Sequence, residues 1–175
     1  MKFTTLLIPS LLIIVAAFMR LIPHPANVAP IAAMALFGGV YLNKKYALVV
    51  PLLALFVSDI FLGFHNTMPF VYGSFIVTGL IGLWLKKHKN VTQIIGATLF
   101  SSLLFYIVTN FGVWLLEPAY TKDLAGFIKC YYLALPFFRN TLIGDLLYVG
   151  VFFGSFEYLL RFTHSRYANL HKNRR

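Results

Sequence analysis

Apolar residues run along this chain in six long stretches, broken by short polar segments that carry most of the charge: residues 3–19, 28–42, 46–64, 69–85, 91–116 and 135–160. A helix needs about 20 apolar residues to cross the hydrocarbon core of a bilayer. The pattern therefore predicts an all-α fold, a polytopic membrane helix bundle of about six transmembrane helices. The second stretch is short, and Gly38-Gly39 within it lowers helix propensity. Residues 124–135 are also apolar, with Lys129 among them, and are compatible with a short helix lying at the interface. Pro30 suits the first turn of the second helix, Pro51 is placed to kink the third upstream of Asp59, and Pro136 is expected to open the sixth.

The polar breaks fix an orientation. With the N-terminus inside, the cytoplasmic segments hold Lys2, Lys44, Lys45, Lys86, Lys87, Lys89, Arg161, Arg166, Lys172, Arg174 and Arg175, most of the 15 Lys and Arg. Arg20, Lys122, Lys129 and Arg139 fall outside. Basic residues accumulate on the cytoplasmic side of membrane proteins, so both termini are expected to be cytoplasmic and the chain to be a multi-pass protein of the cytoplasmic (inner) membrane. Residues 1–165 read as a single transmembrane domain and residues 166–175 as a basic cytoplasmic tail. Met1-Lys2, the apolar run and Val15-Ala16-Ala17 loosely resemble a cleavable signal peptide. A single basic residue at the start and the length of the run favour a retained helix.

Composition agrees with lipid as the solvent: 59% of the 175 residues are hydrophobic and 11% charged, with mean hydropathy +0.78. A soluble domain carries about twice that charge. The net charge of +10 does not indicate nucleic acid, because the basic residues sit in short clusters between apolar runs and form no polar face. The single cysteine, Cys130, excludes an intrachain disulfide, and no Cys/His spacing resembles a zinc site. No metal or cofactor is expected.

Ionisable and amide side chains inside spanning segments are costly unless paired or hydrated, so each suggests function. On the six-helix topology Asp59, Asn110, Trp114, Arg139, Asn140 and Asp145 all fall in the outer half, with Arg20, His24 and Asn27 on the first outer loop. His65 closes the third helix and Tyr72 opens the fourth. Only Glu157, close to Arg161, lies near the inner surface. Arg20, Asn27, Asp59, Asn110, Trp114, Arg139 and Asp145 are thus the candidate substrate-binding residues. For the two aspartates a second role is open: pairing with Arg20 and Arg139 in a closed ionic network.

Helix packing leaves its own marks. Thr98, Ser102, Tyr106, Asn110 and Trp114 recur every four residues on one face of the fifth helix, as in a pocket wall or an interhelical hydrogen-bonding seam ending in an interfacial Trp. Ser74, Thr78 and Gly82 form a small-residue stripe on the fourth helix, and Gly150 and Gly154 a GxxxG on the sixth; both are expected to pack within the bundle.

The chain contains no GxxxxGK[ST], HExxH or GxSxG, so it has no P-loop and none of the common hydrolase motifs. No catalytic residue is assigned, and the chain is not expected to be an enzyme. The segments 20–27 (Arg-Leu-Ile-Pro-His-Pro-Ala-Asn) and 29–39, followed by Ser58-Asp59, Thr109-Asn110, Trp114, Cys130-Tyr131, Pro136 and Gly144-Asp145, resemble a group of small bacterial membrane proteins of unknown function. More distantly, the six-helix plan, Pro-rich first outer loop and Gly-rich second helix resemble the substrate-capture subunits of energy-coupling-factor transporters, which take up vitamins. That resemblance implies an outward-facing small-molecule site, and as partners a membrane scaffold subunit and two ATPases. One departure stands: the small-xxx-small pair such subunits use to dock the scaffold is missing from the first helix, which offers only Ala16-Ala17. The leading expectation is a substrate-capture subunit or carrier. A structural or assembly protein without a ligand is the alternative, followed by an intramembrane enzyme using Asp59 and Asp145.

Overall fold

The computed structural model describes the backbone of residues 4–172 and the side chains of residues 6–162. Lys2, Arg174 and Arg175, and the side chains of the tail from residue 166, lie outside the described residues. All regular structure among the described residues is helical: α1 (Thr4–Met19), α2 (Ile31–Tyr41), α3 (Lys44–Ala47), α4 (Val49–Leu62), α5 (Met68–Leu85), α6 (Val91–Leu116) and α7 (Leu124–Lys172). Four stretches are long and apolar enough to cross a membrane: Lys44–Leu62, Met68–Leu85, Val91–Leu116 and Leu124–Phe162. Their outer faces are strongly apolar and uncovered by protein. Leu53, Phe56, Ile60 and Phe61 of α4 are exposed, Phe61 by 71%. Such a surface suits lipid, and the chain is a membrane protein by helix length and surface chemistry.

The centre of the bundle is α2. Nine of its 11 residues are buried, and α1, α4, α5, α6 and α7 all pack against it. At 1.5 Å per residue it is only about 16 Å long, roughly half the hydrocarbon thickness. The chain before it, residues 20–30, is irregular: residues 21–27 are exposed and the chain becomes buried at Pro30, where α2 begins.

Gly38 and Gly39, which weaken α2 as an isolated helix, are explained by what touches them. A Cβ on Gly39 would lie 2.6 Å from the Gly79 carbonyl oxygen and from the Gly82 backbone, and one on Gly82 would lie 2.6 Å from the Leu36 carbonyl oxygen. Lipid gives helices no hydrophobic reason to associate, so close backbone approach through small residues supplies the contact. Ser74, Thr78 and Gly82 of α5 are all buried, as expected of their stripe. A Cβ on Gly38 would collide with the Pro51 ring. Pro51 itself lacks an N–H and crowds the carbonyl four residues back, Ala47. The third stretch is accordingly interrupted at Leu48, between α3 and α4. On the other side of α2, Phe37 meets Phe152, Phe153 and Phe156 of α7 edge-on, with ring centroids 5.4–5.7 Å apart.

Two expectations are corrected. Pro136 does not open a helix: α7 is continuous from Leu124, with Pro136 inside it, so residues 124–135 are its first turns and no separate interfacial helix. The Gly150–Gly154 pair does not pack within the bundle, since a Cβ on either would meet nothing within 4 Å. Helical periodicity places both on the exposed side of α7, with Ile143, Leu147 and Tyr158.

The start of α7 is capped by Asp123, whose carboxylate accepts hydrogen bonds from the Gly126 backbone N–H and the Thr121 hydroxyl, both at 2.7 Å. These bonds, the Gly126 one foremost, hold the Asp123 carboxyl below the usual carboxylate range. A depressed folded-state pKa stabilises the fold above the unfolded value, about 3.9, and that contribution is lost as pH falls through the folded value. The native protein is therefore expected to melt higher than Asp123→Ala at pH 7, with the gap closing below about pH 4 in thermal denaturation followed by circular dichroism.

Candidate functional site

At the end of the bundle that carries the loops before α2, α5 and α7, Arg20 reaches from the end of α1 to Asp59, three residues from the end of α4. The ion pair is 2.9 Å long, with both side chains largely buried. The guanidinium also bonds Ser58 Oγ, and the Tyr72 hydroxyl donates to the second Asp59 oxygen at 2.7 Å. This is the closed ionic arrangement weighed for Arg20. Both partners are satisfied by protein, joining α1, α4 and α5. Ser58 and Tyr72 were not among the candidate residues; their signal was adjacency to Asp59 in sequence and topology.

Asp145 is placed differently. It is 3% exposed, and its hydrogen bond comes from the Ser102 hydroxyl at 2.6 Å. Among the described residues it has no ion pair. Arg139 is exposed and lies six residues away on the same helix, which turns it to another face. Because α7 begins at Leu124, Asp145 also lies deeper than expected. It meets Ser102, eleven residues from the start of α6 and fourteen from its end, so it sits at mid-bundle.

A cavity of about 290 Å³ connects these features. Its wall includes Arg20, His24 and Asn27 from the first loop, Leu62 of α4, Phe75 and Thr78 of α5, Phe105 of α6, and Thr141 and Asp145 of α7. Arg20 is paired with Asp59, so Asp145 is the acidic side chain on this wall with no ion pair among the described residues. Three devices position the loop over this space. Asn27 adopts φ 63°, a left-handed conformation that Asn tolerates better than most residues. Asn140 Nδ2 donates to the Ala26 carbonyl at 3.0 Å. At Gly144 the missing side chain leaves room for Val28, whose Cα would stand 3.1 Å from a Cβ there.

A second cavity, about 230 Å³, lies between α6 and α7 and shares Asn27, Phe105 and Thr141 with the first. Its origin is a register mismatch. Trp114 meets Phe127 and Ser102 meets Asp145, so twelve residues of α6 face eighteen of α7. The surplus of six is about 9 Å of helix. The α7 residues on the cavity wall, Ala134, Phe137, Phe138 and Thr141, bracket Pro136. Asn110 lines this space with Tyr106, Thr109, Phe137 and Phe138, while its amide nitrogen donates to the Tyr106 carbonyl at 2.8 Å.

Of the seven candidate residues, Arg20, Asn27 and Asp145 line the first cavity and Asn27 and Asn110 the second. Asp59 stands behind Arg20. Trp114 lines neither: its indole N–H donates to the Thr121 carbonyl at 3.0 Å, and Lys122 bonds its carbonyl, so it anchors the loop before α7. At the opposite end of the molecule Glu157 accepts from Tyr41 at 2.5 Å and pairs with Lys89, and Lys86 bonds the Leu42 carbonyl at 2.9 Å. These contacts fasten α2 and the turn between α5 and α6 to α7, and the end of α5 to the end of α2. Among the described residues no group of three His, Cys, Asp or Glu side chains could hold a metal.

Fold and surface define a membrane protein, all-helical among the described residues, in which Arg20, Asn27 and Asp145 line one cavity. The chain belongs to a family described as a family of unknown function (DUF6580), whose model matches residues 2–170. No curated protein and no solved structure matches it. Nothing in the family's description points to catalysis.

Proposed function

We propose that this protein captures a small molecule from the outer side of the cytoplasmic membrane, as a substrate-capture subunit or carrier. Counting α1 and α2 as spans gives six crossings with both termini in the cytoplasm, and the basic residues support that orientation, since Lys44, Lys45, Lys86, Lys87 and Lys89 then fall at the inner surface. The cavity then opens outward. One observation carries the reading: Asp145 is a buried acidic side chain on a cavity wall with no ion pair among the described residues. A buried charge is costly unless it is paired, and a bound cation or hydrogen-bond donor would supply the pairing. With no P-loop in the chain, uptake would draw its energy from separate ATPases through a scaffold subunit, or run downhill.

The test is a screen of small molecules against the purified protein in lipid nanodiscs, read by thermal shift. At least one compound is expected to stabilise the native protein and to bind Asp145→Asn roughly tenfold to a hundredfold more weakly, the worth of a charge-assisted hydrogen bond. A screen in which no compound depends on Asp145 counts against the proposal. The bundle-locking reading fits Arg20 and Asp59 better, because protein groups satisfy both; for those two side chains it is the preferred role.

A further inference from the structure

The two cavities differ in chemistry while sharing a wall. The first ends at the Asp145 carboxylate, and its other strong charge, Arg20, is held by Asp59. The second has no carboxylate or basic side chain on its wall. It offers aromatic faces from Phe105, Phe137 and Phe138, with the amides of Asn27 and Asn110. Tyr106 lies against Phe138 with ring centroids 4.6 Å apart, and its hydroxyl is already donated to the Tyr131 carbonyl at 2.7 Å, so it presents a ring and no free proton. The two adjoin across Asn27, Phe105 and Thr141, and together they fall within the range of small-molecule sites, about 300–1,000 Å³.

Resting on the reading of a small-molecule site, we infer that the ligand is two-ended: a compact cationic head, of the ammonium class, at Asp145, linked to a neutral planar ring in the second cavity. A cation answers the unpaired carboxylate. The ring is matched by offset or edge-on aromatic contact with Phe138 and Phe137, and polar ring substituents by the two amides. Thr141, on the shared wall, marks where the linker passes.

The experiment uses the full chain in nanodiscs and isothermal titration with three probe series of matched length: arylalkyl ammonium, n-alkyl ammonium and neutral arylalkyl alcohol compounds. The arylalkyl ammonium probes are expected to bind at least tenfold more tightly than either one-ended series, with an optimum linker length. Filling the second cavity by Thr109→Leu or by Ala134→Leu, at two residues that line it, is expected to erase that advantage; methylammonium and ethylammonium, too short to leave the first cavity, keep their affinity and so show that the variant is folded. Equal affinity of one-ended and two-ended ammonium probes for the native protein overturns the inference, whatever the variants do. So does an advantage that survives both fillings. If no ammonium probe binds but the broader screen finds another Asp145-dependent ligand, this inference falls and the small-molecule reading stands. If nothing binds in either experiment, both fall.

Discussion

Gly39→Ala is expected to lower the melting temperature of the protein in detergent or nanodiscs by on the order of 10 °C, reflecting about 3 kcal/mol of lost stability. Two effects oppose each other at this position. Alanine is the better helix former by about 1 kcal/mol, which would raise stability. The added methyl, however, would stand 2.6 Å from the Gly79 carbonyl oxygen and the Gly82 backbone, and backbone cannot rotate away as a side chain can. Relief requires α2 and α5 to separate, which also loosens the contact between Leu36 and Gly82. Overpacking costs typically 1–3 kcal/mol and more where backbone must move, so the clash wins. Gly150→Ala is the internal control: nothing lies within 4 Å of its Cβ, and propensity alone should leave its melting point unchanged or slightly raised. Equal behaviour of the two variants would show that α2 and α5 do not touch at Gly39.

The second large effect belongs to the Arg20–Asp59 pair. Arg20→Met leaves a buried carboxylate supported by the Tyr72 hydroxyl, and removal of one partner of such a pair costs about 3–5 kcal/mol. The double variant Arg20→Met/Asp59→Leu removes the stranded charge as well. It is expected to be more stable than Arg20→Met alone, with a coupling of about 1–3 kcal/mol in a double-mutant cycle followed by thermal denaturation. Additive losses would mean that the two side chains do not meet.

Helix positions were legible because apolar run length is a strong local signal. Residues 91–116 were read from the sequence and α6 has the same bounds. Pro51 was legible for the same reason, its missing N–H being a local fact that interrupts the third stretch at Leu48. What misled was also local. Pro136 looked like a helix start, but α6 packs along both sides of it through Tyr106, Tyr131 and Phe138, and tertiary contact outweighs a single missing hydrogen bond. That misplaced start made Asp145 seem shallower than it is. Gly38-Gly39 looked like a weakness because no single-chain pattern shows which backbone will lie opposite. Asp59 with Arg20 could be paired from the sequence because topology gave both a common depth. Trp114 and Arg139 shared that depth but not that direction, and depth without azimuth does not define a site. Ser102 was visible only as part of a stripe; its bond to Asp145 depended on the mismatch between α6 and α7.

That mismatch has an energetic meaning. Surplus helical residues cannot be compressed, so the space between α6 and α7 is held open by backbone geometry and needs no guest to wedge it apart. Most receptors that close around their cargo give up part of the interaction energy to ordering. A ligand of the proposed kind would here meet a space already formed in the folded chain, and the cost of ordering would fall chiefly on the ligand.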